Sequence, residues 1–381
     1  MRQIFSILLS LFCVATTSAN VICGADCTDE WKRILKGKRV ALLANHTATT
    51  EDKHILDKML AEGINVVAVV APEHGFRGTA DAGELVNSSV DAKTGVPIWS
   101  LYSAKSRRLT PEQVAQYDII VVDIQDVGLR FYTYYITMLS VMRSAAEGGK
   151  SVVIFDRPNP NGMYVDGPIL DMKYKSGVGA LPIPVVHGLT MGEIAKMAIG
   201  EGWCKACKVD VVRCKNYTHQ TRYTLPIAPS PNLRSMQAVY LYPSTCLFEG
   251  TICSLGRGTE HPFELYGHPS FKSNFSFTPR SVAGAKSPKH LDKVCYGVDL
   301  RGLPHEEIIA NGFNLEYLID AYKRSGVGND FFNGFFEKLV GVDYIRTMII
   351  EGKSAEEIRA KWQGDVEKFK VLRRKYLLYE E

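Results

Sequence analysis

The 381-residue sequence lacks the short motifs that mark the commonest α/β enzymes. It contains no GxGxxG and no GxxxxGK[ST], so the phosphate-binding loops of dinucleotide enzymes and of ATPases are absent. It also contains no GxSxG and no HExxH, which removes the usual evidence for a serine hydrolase or a zinc protease. We therefore expect an enzyme or binding protein that uses no cofactor and no catalytic metal.

The sequence also has little net charge and few long apolar runs. The net charge is only +4 and no RNP, helix-turn-helix or zinc-finger pattern occurs, so nucleic acid is not an expected partner. One apolar run, residues 4–15, follows Arg2 and precedes Thr17-Ser18-Ala19, an arrangement typical of a secretory signal peptide. We predict that residues 1–19 are cleaved near Ala19, leaving a periplasmic or secreted protein with no membrane span.

Cysteine is modestly represented, with nine residues. Removal of the signal peptide would leave eight, an even number, in an oxidising compartment. Cys204-x2-Cys207 with Cys214 could suggest zinc, but no second CxxC pair accompanies it. We favour disulfides or buried thiols over structural zinc, and expect Cys23 and Cys27 to hold the new N-terminus; the pairing is not determined.

Short apolar runs alternate with helical periodicity along the first half of the chain. The runs predict strands at 39–44, 66–71, 98–102, 118–124, 151–155 and 209–212, with helices at 54–62, from 110, at 135–147 and at 191–199. This alternation predicts an α/β fold, a Rossmann-like domain with a mostly parallel sheet over residues 28–230.

Beyond about residue 226 the polar loops become longer. Strands are expected at 271–277 and 294–300, and helices at 315–322, 331–339, 355–361 and 367–379. Residues 231–381 are therefore predicted to form a smaller α+β C-terminal domain.

Polar residues follow strand after strand at the point where each strand ends. They are Asn45-His46, Glu73-His74, Asp123 with Gln125 and Asp126, Asp156-Arg157, and His187. Because ligands bind at the carboxyl edge of open α/β sheets, we expect these side chains to share one crevice there. A metal held by His46, His74 and Asp126 is the less favoured alternative.

The candidate residues are carboxylates, amides and arginines beside an aromatic run, Phe131–Tyr135. Carboxylates supply acid and base chemistry at a glycosidic bond, while arginine pairs with a substrate carboxylate. Aromatic faces can cover a sugar ring, although core packing would equally explain Tyr134 and Tyr135. The pattern favours a carbohydrate site.

These residues fall in blocks that resemble one known family. The blocks are Asn45-His46-Thr47, Pro72–Gly78, Ala82-Gly83-Glu84, Asp123–Tyr134, Asp156–Pro160, His187–Thr190, Pro229-Ser230-Pro231-Asn232, Phe248–Thr251 and Gly256–Thr259. From about residue 35 to the end, their order resembles that of the bacterial exo-β-N-acetylmuramidase family, formerly a domain of unknown function. Departures are Leu129, where the family usually has alanine, and Cys246-Leu247 in a variable loop.

The resemblance implies an exo-acting glycoside hydrolase that releases N-acetylmuramic acid from the non-reducing end of peptidoglycan fragments during cell-wall recycling. Its partner would be a peptidoglycan-derived disaccharide or muropeptide. It also implies a Rossmann-like catalytic domain followed by a smaller one. Two other functions remain open: a periplasmic sugar- or muropeptide-binding protein without catalysis, and a peptidoglycan hydrolase, such as an amidase, that cuts another bond.

We interpret Glu73 as the general acid and base, because it ends a strand in a site that bound sugar would shield from water. Glu84 or Asp126 would be the second catalytic carboxylate, unless the acetamido group of the substrate replaces it. Arg77 or Arg157 would hold the lactyl carboxylate. The predicted substrate-binding residues are Asn45, His46, His74, Arg77, Asp123, Gln125, Arg130, Tyr132, Asp156, Arg157, Asn159, His187, Glu249 and Arg257.

Overall fold

The computed structural model describes residues 20–51, 53–73, 75–76, 89–101 and 107–381. The predicted signal peptide lies outside these residues, and so do three predicted site residues, His74, Arg77 and Glu84. Their roles stay predictions.

A seven-stranded sheet forms the centre of the first domain. Its strands are β1 Arg39–Ala44, β2 Asn65–Ala71, β3 Ser89–Val90, β4 Pro97–Ser100, β5 Ile119–Asp123, β6 Ser151–Phe155 and β7 Val209–Val212. They are ordered β3-β4-β2-β1-β5-β6-β7, and every neighbouring pair is parallel except β3 with β4. The central strand β5 is buried throughout, as a continuous apolar run requires when both faces of a sheet are covered. The predicted α/β class is confirmed.

Five α-helices accompany this sheet in the described residues. They are α1 Thr28–Leu35, α2 Ile55–Ala61, α3 Pro111–Ala115, α4 Tyr134–Glu147 and α5 Met191–Gly200, with 3-10 turns at Gly24–Asp26 and Met172–Tyr174. The helix predicted at 191–199 is confirmed as α5, and Thr190 and Glu193 form a capping box at its start. Helix α1 was not predicted.

The second domain has its own three-stranded antiparallel sheet, ordered β8-β10-β9. The strands are β8 Leu265–His268, β9 Phe275–Phe277 and β10 Cys295–Asp299. The helices are α6 Met236–Thr245, α7 His305–Asn311, α8 Glu316–Ser325, α9 Phe336–Val340, α10 Tyr344–Ile350 and α11 Ala355–Arg373, and 3-10 turns cover Cys246–Gly250, Gly328–Phe331 and Arg374–Tyr376.

Three helix predictions in this domain were wrong in extent. The segments 355–361 and 367–379 belong largely to one helix, α11, because Trp362 and Val366 are both buried and hold the helix continuous past Gly364. The helix expected over 331–339 begins only at Phe336, because the Asn333 side chain accepts a hydrogen bond from the Phe335 N–H at 2.8 Å and forms a turn there.

The two domains share a core. The larger apolar cluster runs from one face of the parallel sheet through α4, α5 and α6 to α11, whereas a smaller cluster packs α1 and α2 on the opposite face. The C-terminal domain therefore lies directly against the first and covers the carboxyl edge of its sheet. In the part of the chain that the structure describes, no helix has both the length and the apolarity needed to cross a bilayer.

Candidate active site

A cavity of about 510 Å³ lies between the two domains, near the carboxyl ends of β2 and β5. This volume is in the range of small-molecule sites. The first domain contributes Glu73 and Phe131–Tyr134, and the second contributes Tyr242, Cys246, Glu249, Arg257, Phe263 and residues 284–288. Neither domain encloses the cavity alone.

Glu73 is one of two carboxylates among the described residues that line the cavity, and Glu249 is the other. Strand β2 ends at Ala71, and Pro72 cannot donate to the sheet, so the chain turns outward and presents Glu73 at the edge. The hydroxyl of Thr133 donates to Glu73 Oε2 at 2.6 Å. Thr133 immediately precedes α4, so a rigid helix end fixes the orientation of the half-buried Glu73 carboxyl group.

Glu249 is held by Arg257, whose Nε donates to Glu249 Oε1 at 2.6 Å. The guanidinium also lies over the Phe263 ring, 5.0 Å from its centroid. Burial lowers the pKa of Arg257, but the charge of Glu249 and the hydrogen bond to Glu249 outweigh this effect. The pKa of Arg257 is therefore raised. The wall from the second domain therefore carries a permanent cation beside a carboxylate.

The aromatic wall of the cavity connects both domains. The hydroxyl groups of Tyr132 and Tyr134 donate to the Pro229 carbonyl oxygen at 2.8 and 3.3 Å, and their rings meet edge to face at 4.8 Å. Asn232, in the same loop, donates to the Gly284 carbonyl oxygen at 2.7 Å. These bonds fix the loop before α6 against the sheet edge on one side and against residues 284–288 on the other.

Two strand-end amides support this wall from beneath rather than lining the cavity. Asn45 Nδ2 donates to the Tyr134 hydroxyl at 2.9 Å, and Asn45 Oδ1 accepts from Thr47. Gln125 Nε2 donates to the carbonyl oxygens of Asp126 and Pro158, both at 2.8 Å. The ring of His46 is 2.9 Å from the Ala228 carbonyl oxygen.

Asp123 and Arg157 form a buried ion pair at the ends of β5 and β6. Arg157 Nε and Nη2 donate to the two oxygens of Asp123 at 2.5 and 3.0 Å, and Nη2 also donates to the Thr49 carbonyl oxygen at 2.8 Å. The Arg157 side chain is 4% exposed and the Asp123 side chain 0%. The pair does not line the cavity, and the role of Arg157 toward the lactyl group stays a prediction.

A second buried network surrounds the end of β6. Asp156 accepts hydrogen bonds from the Thr190 hydroxyl at 2.7 Å, the Gly192 N–H at 3.0 Å and the Tyr379 hydroxyl at 2.7 Å. Burial raises the pKa of Asp156 to about 6. Nearby, Asn159 Nδ2 donates to the Leu189 carbonyl oxygen at 3.0 Å. This network connects the sheet to α5 and to the C-terminus of the chain.

His187 is fully buried beside this network. Its Nδ1 accepts the Leu189 N–H at 3.2 Å. Burial lowers the pKa of His187 to about 3, so the ring is neutral at physiological pH.

Asp126 is buried behind the tyrosines. Its Oδ1 accepts the Gly128 N–H at 2.7 Å, while Oδ2 has no hydrogen-bond partner among the described residues. Burial raises the pKa of Asp126 to about 7, a value suited to proton transfer. Gly128 has φ +80°, and a Cβ there would meet the Asn159 side chain at 2.1 Å, so only glycine fits this turn.

Of the predicted site residues, the cavity is lined by four: Glu73, Tyr132, Glu249 and Arg257. Ten others that the structure describes lie outside its lining: Asn45, His46, Asp123, Gln125, Asp126, Arg130, Asp156, Arg157, Asn159 and His187. The expectation of one pocket shared by all strand-end residues is therefore corrected. Most of these polar groups are satisfied by one another and by side chains and loop backbone of the first domain. Their roles toward a substrate stay predictions.

Lining residues that sequence reasoning did not select include Thr133, Asn232, Tyr242 and Phe263. Thr133 and Asn232 lie in blocks that carried the family resemblance, so those blocks held the only available signal. Tyr242 and Phe263 fit the apolar pattern of the sequence, so the sequence does not distinguish them from core residues. Among the described residues, no group of three or more His, Cys, Asp or Glu side chains is placed to hold a metal ion.

Comparison with known proteins covers both domains. The sequence profile of exo-beta-N-acetylmuramidase NamZ, N-terminal, matches residues 40–237, and the corresponding C-terminal profile matches residues 240–379. The peptidoglycan beta-N-acetylmuramidase NamZ of Bacillus subtilis strain 168 is 38% identical over 370 residues, covering 92% of this chain and 89% of that protein.

Two crystal structures of DUF1343 family proteins from Bacteroides fragilis NCTC 9343 have the same fold. One has a TM-score of 0.90 and 56% identity, covering 95% of this chain and 100% of that chain. The other has a TM-score of 0.76 and 28% identity, covering 94% of this chain and 99% of that chain. The similarity thus extends over the arrangement of both domains.

Proposed function

The chain belongs to the exo-β-N-acetylmuramidase NamZ family, and from that premise we propose that the cavity between its domains binds the terminal N-acetylmuramic acid with Glu73 as the general acid. The protein is an exo-acting muramidase, a glycosidase of peptidoglycan recycling. The placement of Glu73 in the cavity is the observation that carries the assignment of the site.

Hydrolysis of a glycosidic bond requires a proton for the departing oxygen, and then a base for the attacking water. Glu73 is suited to both steps, because Thr133 orients its carboxyl group at the cavity wall. The Tyr132 and Tyr242 side chains, which also line the cavity, offer apolar surface to a sugar ring. Catalysis here depends on positioning one carboxyl group in a site that bound sugar shields from water.

The role of the second carboxylate stays a prediction. Glu249 shares the cavity but is neutralised by Arg257, whereas Asp126 does not line it and Glu84 lies outside the described residues. The acetamido group of the substrate is the alternative that needs no second protein carboxylate.

Substrate identity provides the direct test of the function. The purified enzyme should release free N-acetylmuramic acid from the non-reducing end of a peptidoglycan disaccharide, as measured by mass spectrometry of the products. A disaccharide with N-acetylglucosamine at that end is the control and should stay intact. Release of a peptide with the glycan bond uncut would identify an amidase instead, and binding without turnover would identify a binding protein.

Arg257 is our candidate for recognition of the lactyl carboxylate that distinguishes N-acetylmuramic acid from N-acetylglucosamine. It is a permanent cation of the cavity. Within the described part of the chain its Nε donates to Glu249 in a direct hydrogen bond, and its terminal nitrogens can serve a second carboxylate. The lactyl group would complete a carboxylate–guanidinium–carboxylate arrangement.

The variant R257Q should weaken binding of N-acetylmuramic acid by roughly 10- to 100-fold, the value of one or two charge-assisted hydrogen bonds. The lactyl methyl ester of the same sugar has no charge and should bind the variant and the wild type about equally. Calorimetric dissociation constants for both ligands measure the difference. R301Q is the matched control, because Arg301 is exposed and pairs with Asp299 away from the cavity. Equal losses for acid and ester would remove Arg257 from this role.

We also propose that the enzyme works in the periplasm or outside the cell, where peptidoglycan fragments occur. The charged start, apolar run and small residues of the first 19 positions support export. N-terminal sequencing of the exported protein should give a chain that begins near Asn20, and a retained Met1 would contradict the proposal.

A further inference from the structure

The described residues contain eight cysteines, all of them free thiols, and seven are buried. Most are isolated apolar side chains of the core. Cys23 and Cys214 differ, because the chain brings these two opposite each other at the edge of the parallel sheet. Neither residue lines the cavity between the domains.

The pairing follows from a short antiparallel contact between the N-terminal segment and the chain after β7. Ile22 and Lys215 exchange both backbone hydrogen bonds, at 3.0 and 2.8 Å. The next opposite pair, Cys23 with Cys214, is therefore the non-hydrogen-bonded kind. In such pairs the Cα atoms lie about 4.5 Å apart, which is inside the range of about 4.4–6.8 Å that disulfides span.

The surrounding contacts hold this register on both sides. Cys23 is extended, with φ −71° and ψ 158°, and the next residue, Gly24, donates its N–H to the Asp156 carbonyl oxygen at 2.9 Å. Cys214 directs its own N–H away from Cys23, to the Tyr379 hydroxyl at 2.9 Å. The Cys214 thiol donates to the Asp156 carbonyl oxygen at 3.2 Å, and Cys23 Sγ lies 3.7 Å from the Tyr223 hydroxyl. A Cβ on Gly24 would meet the Val212 carbonyl oxygen at 2.3 Å, so the segment lies as close to β7 as backbone allows.

We propose that Cys23 and Cys214 form an intramolecular disulfide in the mature, exported protein. This inference rests on the proposed export only for the oxidising surroundings, and not on the muramidase activity. The bond would fasten the first residues of the mature chain to the end of β7, next to the buried network of Asp156 and Tyr379.

The reaction requires a disulfide oxidant, for which oxidised glutathione serves as the reagent. The Cys23 thiolate attacks one sulfur of glutathione disulfide and releases one glutathione thiolate. The Cys214 thiolate then attacks the Cys23 sulfur, forms the Cys23–Cys214 bond and releases the second glutathione thiolate. Two protein thiols are oxidised, one glutathione disulfide is reduced to two thiolates, and the two protons of the protein thiols pass through solvent to those thiolates.

The environment of the two thiols favours Cys23 as the thiol that attacks first. The neighbouring Cys214 thiol and the Arg157 guanidinium lower the pKa of the Cys23 thiol, whereas burial raises the pKa of the Cys214 thiol. Both residues are nearly inaccessible in the folded chain, with exposures of 6% and 7%, so we expect the bond to form during folding.

The experiment compares full mature chains that are refolded with oxidised glutathione or with a reducing agent. Non-reducing peptide mapping should find one cross-linked peptide, Cys23 to Cys214, with a mass about two hydrogens below the sum of the thiols. Reduction should lower the thermal midpoint by roughly 5–10 °C, because the bond closes a very long loop. The double variant C23S/C214S should show no reductant-dependent shift.

The C27S variant is the matched control, since Cys27 is a buried cysteine four residues further on whose Sγ contacts the Arg213 carbonyl oxygen. It should keep both the cross-link and the full shift. Sugar release per folded molecule should be the same in oxidised and reduced protein, which separates this inference from the proposed function. Alkylation of both Cys23 and Cys214 after oxidative refolding, or a cross-link from either residue to another cysteine, would overturn the proposal.

Discussion

The variant E73Q should lose roughly 10²- to 10⁴-fold in kcat, because a carboxamide has no proton to give to the departing sugar oxygen. Glutamine has the same shape, and its oxygen can still accept the Thr133 hydroxyl that holds Glu73 at 2.6 Å. The side chain is half-buried at the cavity wall, and the substitution changes neither its length nor its volume appreciably. We therefore expect E73Q to have an unchanged thermal midpoint and almost no activity.

Release of N-acetylmuramic acid from the natural disaccharide measures the effect on turnover, because its sugar leaving group needs the proton. Binding of the disaccharide to E73Q should stay within a few-fold of wild type, because the change removes a proton donor and not the binding surface. The matched control is E147Q: Glu147 is an exposed glutamate that pairs with Arg108 outside the cavity, and its variant should be fully active. Activity of E73Q within tenfold of wild type would exclude Glu73 as the general acid.

Replacement of Arg130 should make the protein less stable to unfolding without changing its catalytic chemistry. Arg130 is 0% exposed, and its guanidinium donates to four backbone carbonyl oxygens. Two belong to the first domain, Pro168 at 2.6 Å and Ile183 at 2.9 Å, and two to the second, Leu339 at 2.9 Å and Val340 at 2.7 Å. Arg130 thus fastens α9 to the first domain.

The variant R130M should lower the free energy of unfolding by about 3–5 kcal/mol, since it leaves four buried carbonyl groups without their donor. Arg130 packs so closely that a Cβ on Gly341 would meet its Nη2 at 2.6 Å, so no neighbour can move in to replace it. R130K should recover only part of the loss, because an ammonium group cannot reach four acceptors in the geometry of a guanidinium. Urea unfolding measures the difference.

A structural role and a substrate-binding role for Arg130 make opposite predictions. If Arg130 acts only through the fold, the folded fraction of R130K keeps the wild-type KM while stability falls. A raised KM with normal stability would return Arg130 to the substrate site where the sequence placed it. The control is R143Q, since Arg143 is exposed and makes no hydrogen bond or ion pair within the described ranges, so its loss should change neither quantity.

Local chemistry explains which parts of the fold were predictable. Strands such as β1, β5 and β6 are continuous apolar runs bounded by polar residues, and α5 begins with a capping box, so each is specified by its own residues. Elements that depend on distant packing were harder: α11 continues through Gly364 because buried residues on either side hold it. Local propensity favours a break there, but tertiary contacts override it.

The site divides in the same way. Glu73, Tyr132, Glu249 and Arg257 were identified from their residue types and family blocks, and they do line one cavity. Asp123 and Arg157 looked equally suited to a substrate, yet they satisfy each other in a buried pair. A sequence shows that a charged residue follows a strand, but it does not show whether a second domain will cover that residue or leave it facing a ligand.

The sequence alone determined the parallel α/β sheet, its polar carboxyl edge and the side-chain types needed to cut a glycosidic bond, because these follow from periodicity and side-chain chemistry. Only the tertiary structure decided which polar groups reach the cavity, because packing of the loops around the sheet edge pairs most of these groups with one another and with backbone. The same packing set Cys23 against Cys214 and Arg130 against four carbonyl groups. Those contacts join residues far apart in the chain, and only the folded geometry brings them within bonding distance.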